Sequence, residues 1–334
     1  MFEAVVMICA TLAGAPCRAA LVPGYEAETR EGCETALAAL PVDGAVCRAA
    51  GGALAVEEVA PGVFVHMGRI EEPDAGNGGD VSNLGFVVGE AAVAVIDSGG
   101  AAWIGEALWR AIRAETALPV RHVILTHVHP DHVFGASVFA GAEVVGHAGL
   151  ARALAERQGN YLESFEREIG LPLFLGTEAP GVTRGVEGGT LIDLGGRVLE
   201  LRAWETAHSS TDLTVLDRAT GTLFAGDLVF DGHVPTLDGS LRGWQAVLAE
   251  MQGLEVARVV PGHGGPVLNW PEGGAPVLEY LDTLAADARA AIDAGTRLGD
   301  AVQRIGTSEA AEWTLFEAYN ARNATVAYTE LEWE

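Results

Sequence analysis

One stretch constrains this chain more than any other: Thr126-His127-Val128-His129-Pro130-Asp131-His132, placed directly after the strand expected at Val120–Leu125. Three imidazoles and a carboxylate packed this tightly are costly to hold together without a cation among them. His127 and His129 stand two apart, so in extended backbone they project the same way. Asp131 and His132 open the following helix and can face a second ion. Neutral imidazole nitrogens and ionised carboxylates are the donors that a divalent metal takes. A fold that carries this string must therefore end a buried strand at a metal site.

The texture around the string is α/β. Leu54–Val59 and Val63–Met67 read as strands joined at Pro61-Gly62. The polar, glycine-rich residues Glu71–Asp80 read as a mobile loop, with Asn77–Asp80 a candidate lid. Asn83–Val88 and Ala91–Asp97 form a hairpin of buried strands. Ile104, Leu108, Trp109 and Ile112 share one face of a helix over Ile104–Glu115. A strand at Glu143–Val145 and a helical insertion at Leu150–Glu168 follow. The rhythm then repeats, with strands at Thr190–Leu194, Arg197–Ala203, Leu213–Asp217, Thr222–Ala225 and Ala257–Val260. Leu241–Met251 is helical, as are residues 276–305. This order predicts two β-sheets sandwiched between helices.

At 334 residues there is room for one large domain and a small appendage. We divide the chain into a cysteine-containing segment at 1–50 and a main domain at 54–334. The formal net charge is −26, and arginine carries every fixed positive charge. Such a surface repels nucleic acid and anionic lipid. No apolar run is long enough to span a bilayer. Cys9, Cys17, Cys33 and Cys47 are the only cysteines and all precede residue 50. They suggest two disulfides stapling two or three short helices, hence an oxidising compartment. Free buried thiols are an alternative; a four-thiolate metal knot lacks the close cysteine pairs that such sites use. Val5–Ala15 reads as the apolar core of an export signal or as a first buried helix. Against the signal, Glu3 stands where a basic residue is expected, and Pro16 follows the A-x-A candidate at 13–15. The first reading places the protein in the periplasm, the second in the cytoplasm.

The H-x-H-x-D-H string resembles the signature of the metallo-β-lactamase superfamily. Further matches follow in that family's order at strand ends: His208 in Thr206–Asp212, Asp227 in Phe224–Leu228, and His263 in Pro261–Gly264. Asp97, in Val95–Gly99, matches the family's outer aspartate at the end of a hairpin. The resemblance covers roughly residues 54–270 and implies the αββα sandwich. It implies two Zn2+ ions per chain, one on His127, His129 and His208, the other on Asp131, His132 and His263, with Asp227 bridging. A dizinc-bridged hydroxide would then attack a thioester, lactone or amide carbonyl of a small-molecule substrate, oriented by Asp131 as catalytic residue. No cysteine follows Cys47, which excludes the thiolate ligand of the commonest zinc lactamases.

Three other readings compete: an iron-dependent persulfide dioxygenase-like enzyme, a class B β-lactamase, and a metal-loaded binding module. Within the superfamily, Gly79–Gly89 and Leu237–Trp244 resemble the SoxH-related "quinoprotein relay system" zinc metallohydrolases. That resemblance implies a periplasmic enzyme linked to quinoprotein alcohol oxidation or sulfur metabolism, with a redox partner engaged through the N-terminal segment. Of the remaining histidines, His233 is a candidate to line the substrate cleft, while His66, His122 and His147 read as structural. Trp313, Phe316, Tyr319, Tyr328 and Trp333 are expected to pack the tail helix onto the domain.

Overall fold

Alternation of apolar residues decides how the strands are layered. In the computed structural model, which describes residues 1–11 and 14–334, the chain opens with β1 (Phe2–Cys9), β2 (Cys17–Ala27), α1 (Arg30–Ala39) and β3 (Val46–Ala49). The three strands form a small sheet in the order β2-β1-β3. A disulfide between Cys9 and Cys17 joins β1 to β2, and another between Cys33 and Cys47 ties α1 to β3. The two disulfides agree with the sequence, but the segment carries one helix and three strands where two or three helices were expected. The buried-helix reading of Val5–Ala15 does not hold: Val5–Cys9 belongs to the central strand β1, and Leu12 and Ala13 lie outside the described residues. Glu3 explains the difference. It is fully buried on β1, where Arg110 grips it at 2.7 and 3.0 Å and the Gly51 N–H donates to it at 3.2 Å.

The main sandwich begins with β4 (Glu57–Ala60), β5 (Val63–His66), β6 (Leu84–Val88) and β7 (Val93–Ile96), followed by α2 (Ala102–Glu115) and β8 (Val120–Ile124). Next come α3 (Pro130–Val133), β9 (Glu143–His147), α4 (Leu150–Ile169), α5 (Leu171–Phe174) and β10 (Arg184–Val186). These strands make one sheet in the order β10-β9-β8-β7-β6-β5-β4, parallel from β7 to β10. The second sheet runs β11 (Gly189–Asp193), β12 (Val198–Ala203), β13 (Leu213–Asp217), β14 (Thr222–Phe230), β15 (Arg258–His263) and β16 (Leu268–Asn269). Helices α6 (Leu241–Met251), α7 (Ala275–Asp293), α8 (Leu298–Ala301) and α9 (Phe316–Glu332) belong to its outer layer.

Between the sheets, Val65, Ile96, Ile124, Leu199, Val215 and Phe224 share one buried cluster. Outside the first sheet, Ile104, Leu108 and Ile112 of α2 meet Phe86, Val95 and Val123. Outside the second, Trp244, Tyr280 and Leu281 meet Val229 and Val259. Each interface buries whole aliphatic and aromatic side chains, about 1.5–3 kcal/mol apiece before entropy is counted. Parallel β7-β8-β9 and β14-β15 all end at the same edge, where ligands bind in sheets of this kind.

Three further expectations change. β14 runs on to Phe230, past the expected Ala225, with its register against β15 slipping on both sides of Gly226. The bulge lets Gly226-Asp227, expected at the end of the strand, sit inside it. Glu71–Asp80 is pinned, not loose: Asn77 is buried and accepts from the Asp74 and Gly79 N–H groups, and Trp103 donates to the Gly78 carbonyl at 2.9 Å. Trp313, Phe316 and Tyr328 do bury against the domain, but Trp333 is 86% exposed. Among the described residues no helix is long and apolar enough to cross a membrane.

His66 closes the pinned segment, with its Nε2 2.8 Å from Asp80 Oδ1 and its Nδ1 2.8 Å from the Ala55 carbonyl. Burial works against a charge on this ring, but Asp80 outweighs it and the pKa is raised. A histidine whose folded pKa is raised adds stability that is full below about pH 6.5 and lost as pH rises through the folded value. The stability gap between wild type and His66→Gln should therefore be widest near pH 5.5 and shrink in alkali, as read from urea midpoints. A gap that widens with pH would contradict the pair.

Candidate metal centre

Each turn that carries a candidate ligand is held by its own local chemistry. After β8, the backbone N–H and the hydroxyl of Thr126 both donate to Asp97, at 2.8 and 2.7 Å. Asp97 adopts φ 56°, in the left-handed region that aspartate tolerates better than most residues, and this aims its carboxylate across the strand ends. Between β12 and β13, buried Asp212 caps its own turn by accepting from Ser209 N and Oγ, at 2.9 and 2.7 Å, which fixes neighbouring His208. Burial pushes the Asp212 carboxyl up to about 7. Before His263, a Cβ on Gly262 would overlap Asp227 Oδ1, so only glycine lets β15 pass the aspartate of β14.

These turns bring all seven sequence-predicted side chains together. His127, His129, His208 and Asp227 form one group and Asp131, His132 and His263 another, each with its candidate ligand atoms within 4.8 Å of one another. Asp227 stands between them. Its Oδ2 is 3.7 Å from His127 Nε2, 3.4 Å from His208 Nε2 and 3.4 Å from His263 Nε2, and its Oδ1 is 3.2 Å from His132 Nε2. Asp131 Oδ2 lies 3.3 Å from His132 Nε2 and 3.4 Å from His263 Nε2. His127, His132 and His208 are at most 1% exposed, while Asp131 keeps 15% of its side chain open to the cleft.

The outer nitrogens decide what the inner ones can do. His208 Nδ1 and His263 Nδ1 donate to the carbonyls of Thr236 and Val81, at 2.7 and 2.8 Å. His132 Nδ1 donates to Asp97 at 2.9 Å, His127 Nδ1 to the Thr126 hydroxyl at 3.0 Å, and His129 Nε2 to Asp238 at 3.3 Å. With those protons placed outward, the inner nitrogens of neutral rings present lone pairs. They face one another: His129 Nδ1 is 3.1 Å from His127 Nε2 and 2.9 Å from His208 Nε2. Asp227 Oδ1 is buried without a hydrogen-bond donor of adequate geometry. Acceptors pointed at acceptors in a buried cage are unstable alone and fit a positive charge at the centre.

The titration behaviour divides the cage into two halves. Burial pushes His208 down to about 3 and His127 well below its ordinary value. Burial also opposes a charge on His132 and His263, but the carboxylates of Asp131 and Asp227 outweigh it and raise both pKa values. Thus the cage draws positive charge toward its carboxylates. Divalent cations fit this donor set, with His127, His129, His208 and Asp227 able to hold one and Asp131, His132 and His263 another. Asp97 orients the cage without entering it. Asp97→Asn should lower zinc affinity about 10–100-fold in chelator competition; an unchanged affinity would remove Asp97 from the account.

The cage floors a cavity of about 370 Å³. His233 lines it, as the sequence suggested, with its ring 4.9 Å from that of His263. The other three histidines stay outside: His66 pairs with Asp80, His122 lies 3.2 Å from Glu143, and His147 accepts from the Gly149 N–H. Sequence reading missed Asp238, which accepts from His129, Arg157 and Arg322 and so joins the cage to α4 and α9. It also missed Tyr161 and Tyr319 as cavity walls. The spacing of Arg157 and Tyr161 on α4, one turn apart and hydrogen-bonded at 3.0 Å, was the available signal.

Known proteins share this architecture. A curated relative, "Metallo-beta-lactamase domain-containing protein 1" of Xenopus laevis, is 26% identical over 183 residues, which is 52% of this chain; the match spans 66% of that relative's length. A beta-lactamase domain protein from Burkholderia ambifaria superposes with a TM-score of 0.63 at 20% identity, covering 85% of this chain and 90% of the other. A metallo-beta-lactamase from Pontibacter korlensis gives 0.56 at 22% identity, covering 69% and 99%. A stereoselective inverting sec-alkylsulfatase from Pseudomonas sp. gives 0.61 at 14% identity, covering 83% and 50%. These likenesses show the fold. The profile of the Metallo-beta-lactamase superfamily matches residues 77–263, more than half of the chain and every candidate ligand. The chain therefore belongs to the metallo-beta-lactamase superfamily, whose members are generally metal-dependent hydrolases.

Proposed function

We propose that this chain is a zinc-dependent hydrolase of small carbonyl substrates: thioesters, lactones or amides. One observation carries the reading, namely a buried cage in which seven side chains converge and Asp227 Oδ1, buried without a well-formed hydrogen bond, suits a cation. His127, His129 and His208 would hold one ion, Asp131, His132 and His263 the other, and Asp227 would touch both. Two such ions, when bound, polarise a carbonyl oxygen and bring the pKa of water down toward neutrality. The chain's own part is to hold and aim. Asp131, the caged carboxylate most open to the cleft, accepts a hydrogen bond from the attacking water and fixes its direction. His233 bounds the place where the acyl group lies, and buried Phe165 on the cavity wall helps exclude bulk water.

The two disulfides and the resemblance to the quinoprotein relay hydrolases support a periplasmic setting beside quinoprotein alcohol oxidation or sulfur metabolism. The test uses the full-length protein against a thioester, a lactone, an amide, a β-lactam and a persulfide. Turnover of at least one carbonyl substrate, lost on chelation and restored by zinc, is the expected result. Oxygen uptake on the persulfide with iron, and no hydrolysis with zinc, would overturn the proposal in favour of a dioxygenase. A β-lactam opened at a low rate would reflect the shared chemistry and not the role.

A further inference from the structure

The wall of the cavity above the cage is as one-sided as the cage itself. Glu71, Glu72 and Glu168 line it, and Arg322 is the one cationic side chain among the described lining residues. Arg322 is already committed, since it donates to Asp238 at 2.6 Å, and Asp238 also takes Arg157 and His129. Arg69 and Arg167 lie 3.8 Å from Glu71 and Glu168, but both stand outside the cavity, are more than 60% exposed, and so are screened by water and salt. The remaining partners are neutral. Asn77 donates to Glu71, Ser164 donates to Glu168 at 2.9 Å, and Tyr319 sits against Glu72. Between these carboxylates, Tyr161, Phe165 and Tyr319 supply aromatic surface. An acidic rim alone would mark no site. Here it surrounds a cavity of about 370 Å³ whose floor holds Asp227, buried and with no well-formed hydrogen bond to its Oδ1, which marks the floor as a place that takes a ligand.

We propose that this rim selects substrates by charge: the preferred substrate is a small carbonyl compound bearing an ammonium or other organic cation on the side away from the scissile bond. The carbonyl would enter toward the cage, and the cation would rest among Glu72, Glu168 and the tyrosine faces. Aromatic faces and carboxylates together are the surroundings that quaternary and alkylammonium groups favour. Anionic substrates, including carboxylate-bearing lactams, meet like charge at the mouth and pay for it in association rate and affinity. The inference rests on the hydrolase reading for the position of the scissile carbonyl, but its central prediction can be read without turnover.

Two isosteric pairs separate the ideas. In calorimetric titrations of the zinc-loaded, full-length protein, choline should bind about tenfold tighter than its uncharged isostere 3,3-dimethylbutan-1-ol. The preference should narrow when salt rises to about 0.5 M. Acetylthiocholine should show a similar advantage in kcat/KM over 3,3-dimethylbutyl thioacetate. In the Glu72→Gln and Glu168→Gln variants the ratio of charged to uncharged ligand should move toward one. The salt series carries the same test in unaltered protein, should a variant fold poorly. Equal binding of choline and the alcohol at low salt would overturn the rim proposal. Hydrolysis of both thioesters at equal rates, with equal binding, would do so while leaving the hydrolase standing. A clear choline preference with neither thioester cleaved would keep the rim and count against thioester hydrolysis.

Discussion

Asp131→Ala is expected to leave the protein folded and to lower kcat by about 10²–10⁴-fold. The side chain sits at the start of α3, and the backbone there is anchored independently, because Ser82 Oγ donates to the Asp131 carbonyl at 2.6 Å. What disappears is a carboxylate whose pKa burial would raise but which His132 and His263 hold well below the usual range, so that it stays ionised and able to hold an ion and to accept a hydrogen bond from the attacking water. It is also the most exposed of the seven caged side chains, apart from His129, which has the same 15% opening. Circular dichroism and zinc content should be measured with the kinetics, because loss of the second ion and loss of the group that orients the water both lower kcat. Zinc retained on His127, His129 and His208 with turnover gone is the expected pattern. A fall of less than about tenfold would take Asp131 out of the chemistry.

The largest effect on stability is expected at Glu3. Glu3→Ala removes the carboxylate that two arginines share, Arg110 at 2.7 Å and Arg48 at 3.3 Å, and leaves the 10% exposed Arg110 side chain with Glu106 at 3.7 Å as its remaining carboxylate and the Gly52 carbonyl at 3.3 Å. Breaking a buried pair from one side costs about 3–5 kcal/mol, and the surviving Glu106 contact points to the lower end. Burial would raise the Glu3 carboxyl, yet Arg110, the Gly51 N–H and Arg48 together lower it. A carboxylate depressed in the folded state adds stability above its unfolded pKa of about 4.5 and loses it as pH falls through the folded value. The gap between wild type and variant should therefore be full at neutral pH and close in acid. Denaturant midpoints measure it; a gap below about 0.5 kcal/mol at pH 7 would mean that β1 is held by its neighbours and not by this pair.

How much of this was legible in the sequence follows from where each signal resides. The cage was legible because its members are rare residue types at strand ends, in a string that has little other use. Its layers were legible because buried strands and amphipathic helices keep their periods, and helix α6 and strand β13 fall at the expected residues. The N-terminal sheet was not, because Val5, Val6 and Met7 look alike in a signal, a helix or a strand, and the decisive partner of Glu3 lies on α2, more than a hundred residues away. Asp238 was hidden for the same reason: His129, Arg157 and Arg322 meet it only in three dimensions. Glu71–Asp80 read as mobile because its glycines and polar residues suit a loose loop. What pins them is the Trp103 indole and the buried Asn77 side chain.

The most direct test of the central claim is a zinc titration of purified, chelator-treated protein, followed by diffraction at the zinc absorption edge. The account predicts about two ions per chain, one among His127, His129 and His208 and one among Asp131, His132 and His263, with Asp227 reaching both. Anomalous density absent from this cage, or a single iron held without Asp131, His132 and His263, would contradict it.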